Sequence, residues 1–134
     1  MKKAFLILIL IFFQCKFYSQ NLYDYKVKTI SNLKDRTRIL DVLRTELRKD
    51  YDQEFVFIVN KLNVSVGFAW FEGYVRRKDG EDVLLEPYED SHLKALLQMK
   101  NKQWDIIKIE AFLNDTDWEY IFNLAKAPKK IFFY

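Results

Sequence analysis

With 134 residues, half of them hydrophobic and 17% aromatic, the chain is long enough for one domain with a modest core and too apolar for a disordered segment. Taking Lys2, Lys3 and Lys16 of the first twenty residues from its 22 bases leaves 19, equal to the 19 acids, and the longest basic run is Arg76-Arg77-Lys78; this excludes the basic stripe of a nucleic-acid binder. The single cysteine, Cys15, excludes a disulfide framework or a thiolate zinc site in residues 21–134.

The chain opens on MKKAFLILILIFFQCKFYSQ. Two lysines precede an apolar run from Ala4 to Phe13, which is shorter than the roughly 20 apolar residues a bilayer span needs. This pattern predicts a secretory signal over 1–20, with a poor cleavage site, because bulky Phe17 or Tyr18 falls where signal peptidase prefers a small residue. Gln14 precedes Cys15 where a lipoprotein signal takes a small residue, so Cys15 is read as a cysteine discarded with the signal. Residues 21–134 are then one exported domain, periplasmic or extracellular, without a stable membrane span.

DRTRILDVLRTELRK, 35–49, repeats Ile39, Leu40, Leu43 and Leu47 at helical spacing, with charges on the other side. It predicts an amphipathic helix with one buried stripe, capped by Asp35. FVFIVNKLNV, 55–64, is rich in β-branched and aromatic residues and predicts a strand. A tight connection at Gly67 leads to a second strand, FAWFEGYVRR, 68–77. Asp79-Gly80 predicts a hairpin turn, followed by a short return strand within EDVLLEPYEDS that Pro87 ends. LKALLQM, 93–99, and WDIIKIEAFL, 104–113, are two more strands joined by a turn at 100–103. Thr116-Asp117-Trp118-Glu119 fits a capping box that opens a helix over 117–125, and Pro128 is consistent with its stop. The predicted fold class is α+β: an N-terminal amphipathic helix packed on a four- to five-stranded antiparallel meander sheet, with a short C-terminal helix.

Alternation assigns faces. Ala69, Phe71, Gly73 and Val75 form an apolar set that suits close approach of the helix. So do Ile107, Ile109, Ala111 and Leu113, and Leu93, Ala95, Leu97 and Met99. The opposite face gathers Phe68, Trp70, Tyr74, Leu96, Trp104, Ile106 and Phe112, with Glu72, Arg76, Lys108 and Glu110 among them. That face is too apolar to be left wholly to water and too charged for a sealed core. Three coverings are open: the C-terminal helix with the tail Ile131-Phe132-Phe133-Tyr134, a homodimer through the face, or an unknown protein or small ligand. Phe68, Trp70, Glu72, Tyr74, Trp104, Lys108 and Glu110 are the candidate ligand- or partner-binding residues.

No catalytic, metal or cofactor motif is present. His92, the only histidine, lies in a predicted loop with no nucleophile signature beside it. Asp115 and Asp117 lack the spacing of a calcium loop, and helix capping explains them more simply.

RTRILDVLR at 36–44, FVFIVNKLNVSVGFAWFEG at 55–73, KDG at 78–80, ALLQMKNKQWDIIKIEAF at 95–112, TDW at 116–118 and APKKIF at 127–132 together resemble an uncharacterised family of small secreted bacterial proteins. Relative to that family, this chain is shortened around 83–92, and its Gly67 connection has fewer glycines. The resemblance implies a periplasmic or exported α+β domain and brings no catalytic residues. The helix-then-sheet order also looks like cystatin-like or nuclear-transport-factor-like half-barrels. The expected function is an exported, non-enzymatic binding module of the bacterial envelope that uses the aromatic and charged face. The alternative is a small enzyme with Glu72 and Glu110 as a carboxylate pair in a sheet-lined pocket.

Overall fold

A computed structural model describes residues 21–83, 85 and 89–134; the expected export signal, Cys15 and Pro87 lie outside the described residues. The elements in chain order are β1 (Tyr23–Asp24), α1 (Leu33–Asp50), β2 (Phe55–Ser65), β3 (Phe68–Arg77), β4 (His92–Lys100), β5 (Gln103–Ala111), α2 (Trp118–Ala125) and α3 (Lys130–Phe133). The five strands form one antiparallel sheet in the order β1-β2-β3-β4-β5. This is the expected α+β meander.

The helix α1 presents its predicted stripe. Ile39, Leu40, Leu43 and Leu47 are buried against Ala69, Phe71, Val75, Ala95 and Leu97 of the sheet. The cap differs from the expectation. α1 starts two residues before Asp35, after Asn32, whose side chain is engaged with the preceding loop. Its Oδ1 accepts from the Thr29 N–H at 2.9 Å, and its Nδ2 donates to the Val27 carbonyl at 2.9 Å. Asp35 stands instead in the first turn, where its charge faces the positive end of the helix dipole.

Two connections are two-residue hairpins. Val66 and Gly67 take φ of 50° and 75°, and Asn101 and Lys102 take 50° and 62°, the positive pair that matches the twist of adjoining strands. The Asp79-Gly80 turn forms, with Gly80 at φ 87°, yet it does not close a hairpin. The described residues of 81–90 contain no strand, and the strand that returns along β3 is β4, from His92.

Two β-bulges set the faces. In β2 the pairing passes from Val59↔Gly73 to Lys61↔Glu72, so Asn60 is the extra residue. In β5 it passes from Ile106↔Leu97 to Lys108↔Leu96, so Ile107 is extra. A bulge shifts every residue on one side of it to the opposite face. Trp104 and Ile106 therefore belong to the core under α1, not to the second face as strict alternation predicts. Phe112, also predicted on the second face, joins that core through a left-handed turn just past β5, at φ 68°. Gly73 sits beside the β2 bulge. A Cβ there would lie 2.2 Å from the Ile58 carbonyl oxygen, so the strand approach requires glycine.

On the second face, Phe68, Trp70 and Leu96 are buried under Trp118, Phe122, Ala127 and Ile131. The C-terminal segment thus covers this half of the face, the first of the three coverings. Trp70 is its centre: its ring meets those of Trp118 at 4.7 Å, Phe132 at 5.1 Å and Phe122 at 5.5 Å, all edge to face. The segment is also fastened from β2. The Asn63 amide donates to the carbonyls of Ile131, at 2.9 Å, and Tyr134, and Lys61 Nζ donates to the Phe132 carbonyl at 3.1 Å. A cation and an amide thereby satisfy carbonyls that a one-turn helix cannot pair internally.

Candidate functional site

The strand register arranges the second face in rows that run across the sheet. One row is Asn63, Trp70, Leu96 and Lys108, beneath or beside the covering segment. The next is Lys61, Glu72, Lys94 and Glu110, alternating in charge. Beyond it stand Ile58, Tyr74 and His92, and then Val56 beside Arg76. The covering segment stops at the charged row. The last two rows form an open ledge on three hydrogen-bonded strands.

Ile58 is 41% exposed and Tyr74 42%. The Tyr74 ring stacks on the His92 imidazole at 5.1 Å, with an interplanar angle of 26°. The imidazole Nε2 stands 3.7 Å from Glu72 Oε1, too far for a hydrogen bond and near enough for attraction once the imidazole is charged. The stack sets the His92 imidazole against the Tyr74 ring. The ledge therefore offers an apolar and aromatic strip with a carboxylate, an imidazole and the exposed Arg76 guanidinium around it. Such a strip suits recognition of another molecule's side chains.

The seven candidate residues divide. Glu72 and Tyr74 lie on or beside the ledge. Phe68 and Trp70 are inside the covered half. Trp104 is on the opposite face, in the α1 core. Lys108 is exposed on β5. Glu110 is 5% exposed and serves the corner between β5 and α2. Its Oε2 accepts the backbone N–H groups of Asp115 at 2.9 Å and Thr116 at 2.6 Å. The Trp118 indole N–H faces the same carboxylate without closing to hydrogen-bond geometry. Burial raises the pKa of Glu110, and the donors outweigh it: the Thr116 hydroxyl, the two backbone N–H groups and the indole hold the carboxyl below its ordinary value.

Glu72 and Glu110 are not neighbours. β4 runs between their strands and places Lys94 in register with both. Lys94 Nζ donates to Asn114 Oδ1 at 2.9 Å. A shared proton between two carboxylates requires direct contact, which this order denies them.

The capping box is displaced by one residue. Asp117, not Thr116, caps α2 and accepts from the Tyr120 N–H at 3.0 Å. Thr116 is spent on Glu110, and the Glu119 carboxylate lies 3.6 Å from Lys129 Nζ.

Ile58, Val56 and His92 were not legible as site residues. Residues 55–59 of β2 are apolar throughout, so no alternation turns Val56 and Ile58 outward or marks the bulge at Asn60. In β5 apolar residues fall at 104 and 106 and then at 107, 109 and 111, and that change of phase marks the bulge. His92 becomes the first residue of β4 rather than part of a loop, and only the register sets it beside Tyr74. Among the described residues no group of histidine, cysteine, aspartate and glutamate is placed to hold a metal, and no helix is long and apolar enough to cross a membrane. No family model, no curated protein and no solved structure matches this chain.

Proposed function

We propose that the chain is an exported, non-enzymatic binding module whose contact surface is the open ledge of the second sheet face. One observation carries this reading: Ile58 and Tyr74 stand exposed side by side on the sheet, beyond the reach of the segment that covers Phe68, Trp70 and Leu96 of that face. Tyrosine supplies a large contact area at low entropic cost and is favoured at binding hot spots. The flanking Glu72, His92 and Arg76 supply polar contacts of both signs. Export is supported by Lys2 and Lys3 ahead of the apolar run from Ala4 to Phe13.

A photo-crosslinking residue in place of Tyr74, in cells that make the full chain, tests the contact surface. An exposed control position is Thr45 on α1. The expected result is an adduct specific to position 74 that Ile58→Glu abolishes. Identical adducts from both positions, or none from position 74, would count against the reading. Cell fractionation tests export separately, and retention of the full chain in the cytoplasm would overturn that part.

A further inference from the structure

The two edges of the sheet are finished differently. On one side, β1 pairs Tyr23 and Asp24 with Val64 and Asn63 of β2. The Tyr25 N–H donates to the Leu62 carbonyl at 2.7 Å, and Arg44 Nε donates to the Phe55 carbonyl at 3.2 Å. On the other side, β5 runs for nine residues and, among the described residues, pairs only with β4. Beside its free edge a groove of about 700 Å³ separates it from α1, with Val42 and Glu46 on the helix wall and Ile106 and Ile109 on the strand wall. An unpaired edge of this length is a template for another strand.

We propose that β5 pairs antiparallel with β5 of a second copy, about a twofold axis between Ile106 and Ile107, joining two five-stranded sheets into one. The charges of the strand select both the occupant and the register. In this register Asp105 opposes Lys108 of the second copy, and the twofold repeats the pair, as an isologous contact requires. Trp104 opposes Ile109, so residues on the α1 side meet residues on the α1 side. A slip by two residues would instead set Asp105 against Glu110 and bring like charges together. The bulged Ile107 falls at the axis, so the ladder is interrupted at its centre and continues on both sides. The groove leaves room for the side chains that the added strand turns toward α1. The ledge lies on β2, β3 and β4, so this contact leaves it uncovered.

Light scattering on the full chain over a concentration series tests the proposal. The expected mass is that of two copies. Asp105→Lys sets lysine against Lys108 twice and is expected to weaken the dimer about tenfold or more. Asp105→Lys with Lys108→Asp restores the opposition of charge and the dimer. Both positions are exposed, so neither change disturbs the core. Ile58→Glu, on the ledge, leaves the dimer unchanged. A monomer at every concentration overturns the proposal and leaves the edge to an unlike strand or to none, with Lys108 and the bulge as its guards. A dimer indifferent to Asp105→Lys, or one broken by Ile58→Glu, also overturns it, because the interface would then lie elsewhere.

Discussion

The Glu110 carboxylate accepts the Thr116 N–H at 2.6 Å, and this bond ties the last strand of the sheet to the segment that covers the second face. Without it, the chain between β5 and α2 would leave a half-buried donor unpaired. The bond is charge-assisted and therefore stronger than a neutral one.

Glu110→Gln should lower stability by about 1–3 kcal/mol, since a buried carboxylate that accepts two backbone N–H groups is replaced by a neutral amide. The dependence on pH has a definite sign. The folded-state pKa lies below the ordinary value of 4.5. The contribution is thus complete above that value and is lost as pH falls through the folded-state pKa. Urea unfolding of both proteins across that interval should show the gap closing toward acid. A gap independent of pH would assign the loss to packing instead.

Trp70→Ala and Tyr74→Ala should behave as opposites, although the residues stand only four positions apart in β3, on one face. Trp70 is fully buried among aromatic rings, and its truncation should cost about 3–5 kcal/mol. Tyr74 is exposed, and its truncation should change stability by no more than about 1 kcal/mol. Chemical denaturation measures both. Tyr74→Ala is the informative variant for binding, whereas Trp70→Ala reports on folding. Equal losses would mean that the ledge is covered in solution.

Asn63→Ala should loosen the C-terminal turn. It removes the amide that serves the Ile131 and Tyr134 carbonyls, at a cost of about 1–2 kcal/mol. Hydrogen exchange should quicken over 130–134 and stay unchanged in α1. Unchanged protection at 130–134 would mean that ring packing alone holds the segment.

Gly73→Ala should lower the melting temperature. The new Cβ would meet the Ile58 carbonyl at 2.2 Å, and the strand has to shift, at about 1–3 kcal/mol. Ala69→Gly, which also changes one methyl group in the same strand, is the comparison: it should lose stability through a cavity while leaving the β2–β3 register intact by NMR. A Gly73→Ala protein with wild-type shifts for Ile58 and Asn60 would contradict the close approach.

The main elements of this fold, α1, β2 to β5 and α2, were legible in the residues themselves. Ile39, Leu40, Leu43 and Leu47 recur at the helical period, and alternation in 68–77 and 93–99 separates a face for α1 from a second face. These are local regularities, and each follows from how one element exposes its own side chains. The helix caps needed more. Asn32 and Asp117 took the places expected of Asp35 and Thr116, because a loop engaged the Asn32 side chain and a buried carboxylate engaged the Thr116 N–H. Two outcomes belonged to the tertiary structure alone. The bulge at Ile107 turned Trp104 and Ile106 into the α1 core, because the face of a residue depends on which partner its strand pairs with. The covering segment ended at the row of Lys61, Glu72, Lys94 and Glu110, leaving Ile58, Tyr74 and His92 together in the open. Residues from three strands become one surface only when the register is set, and register is a relation between strands that no single strand contains.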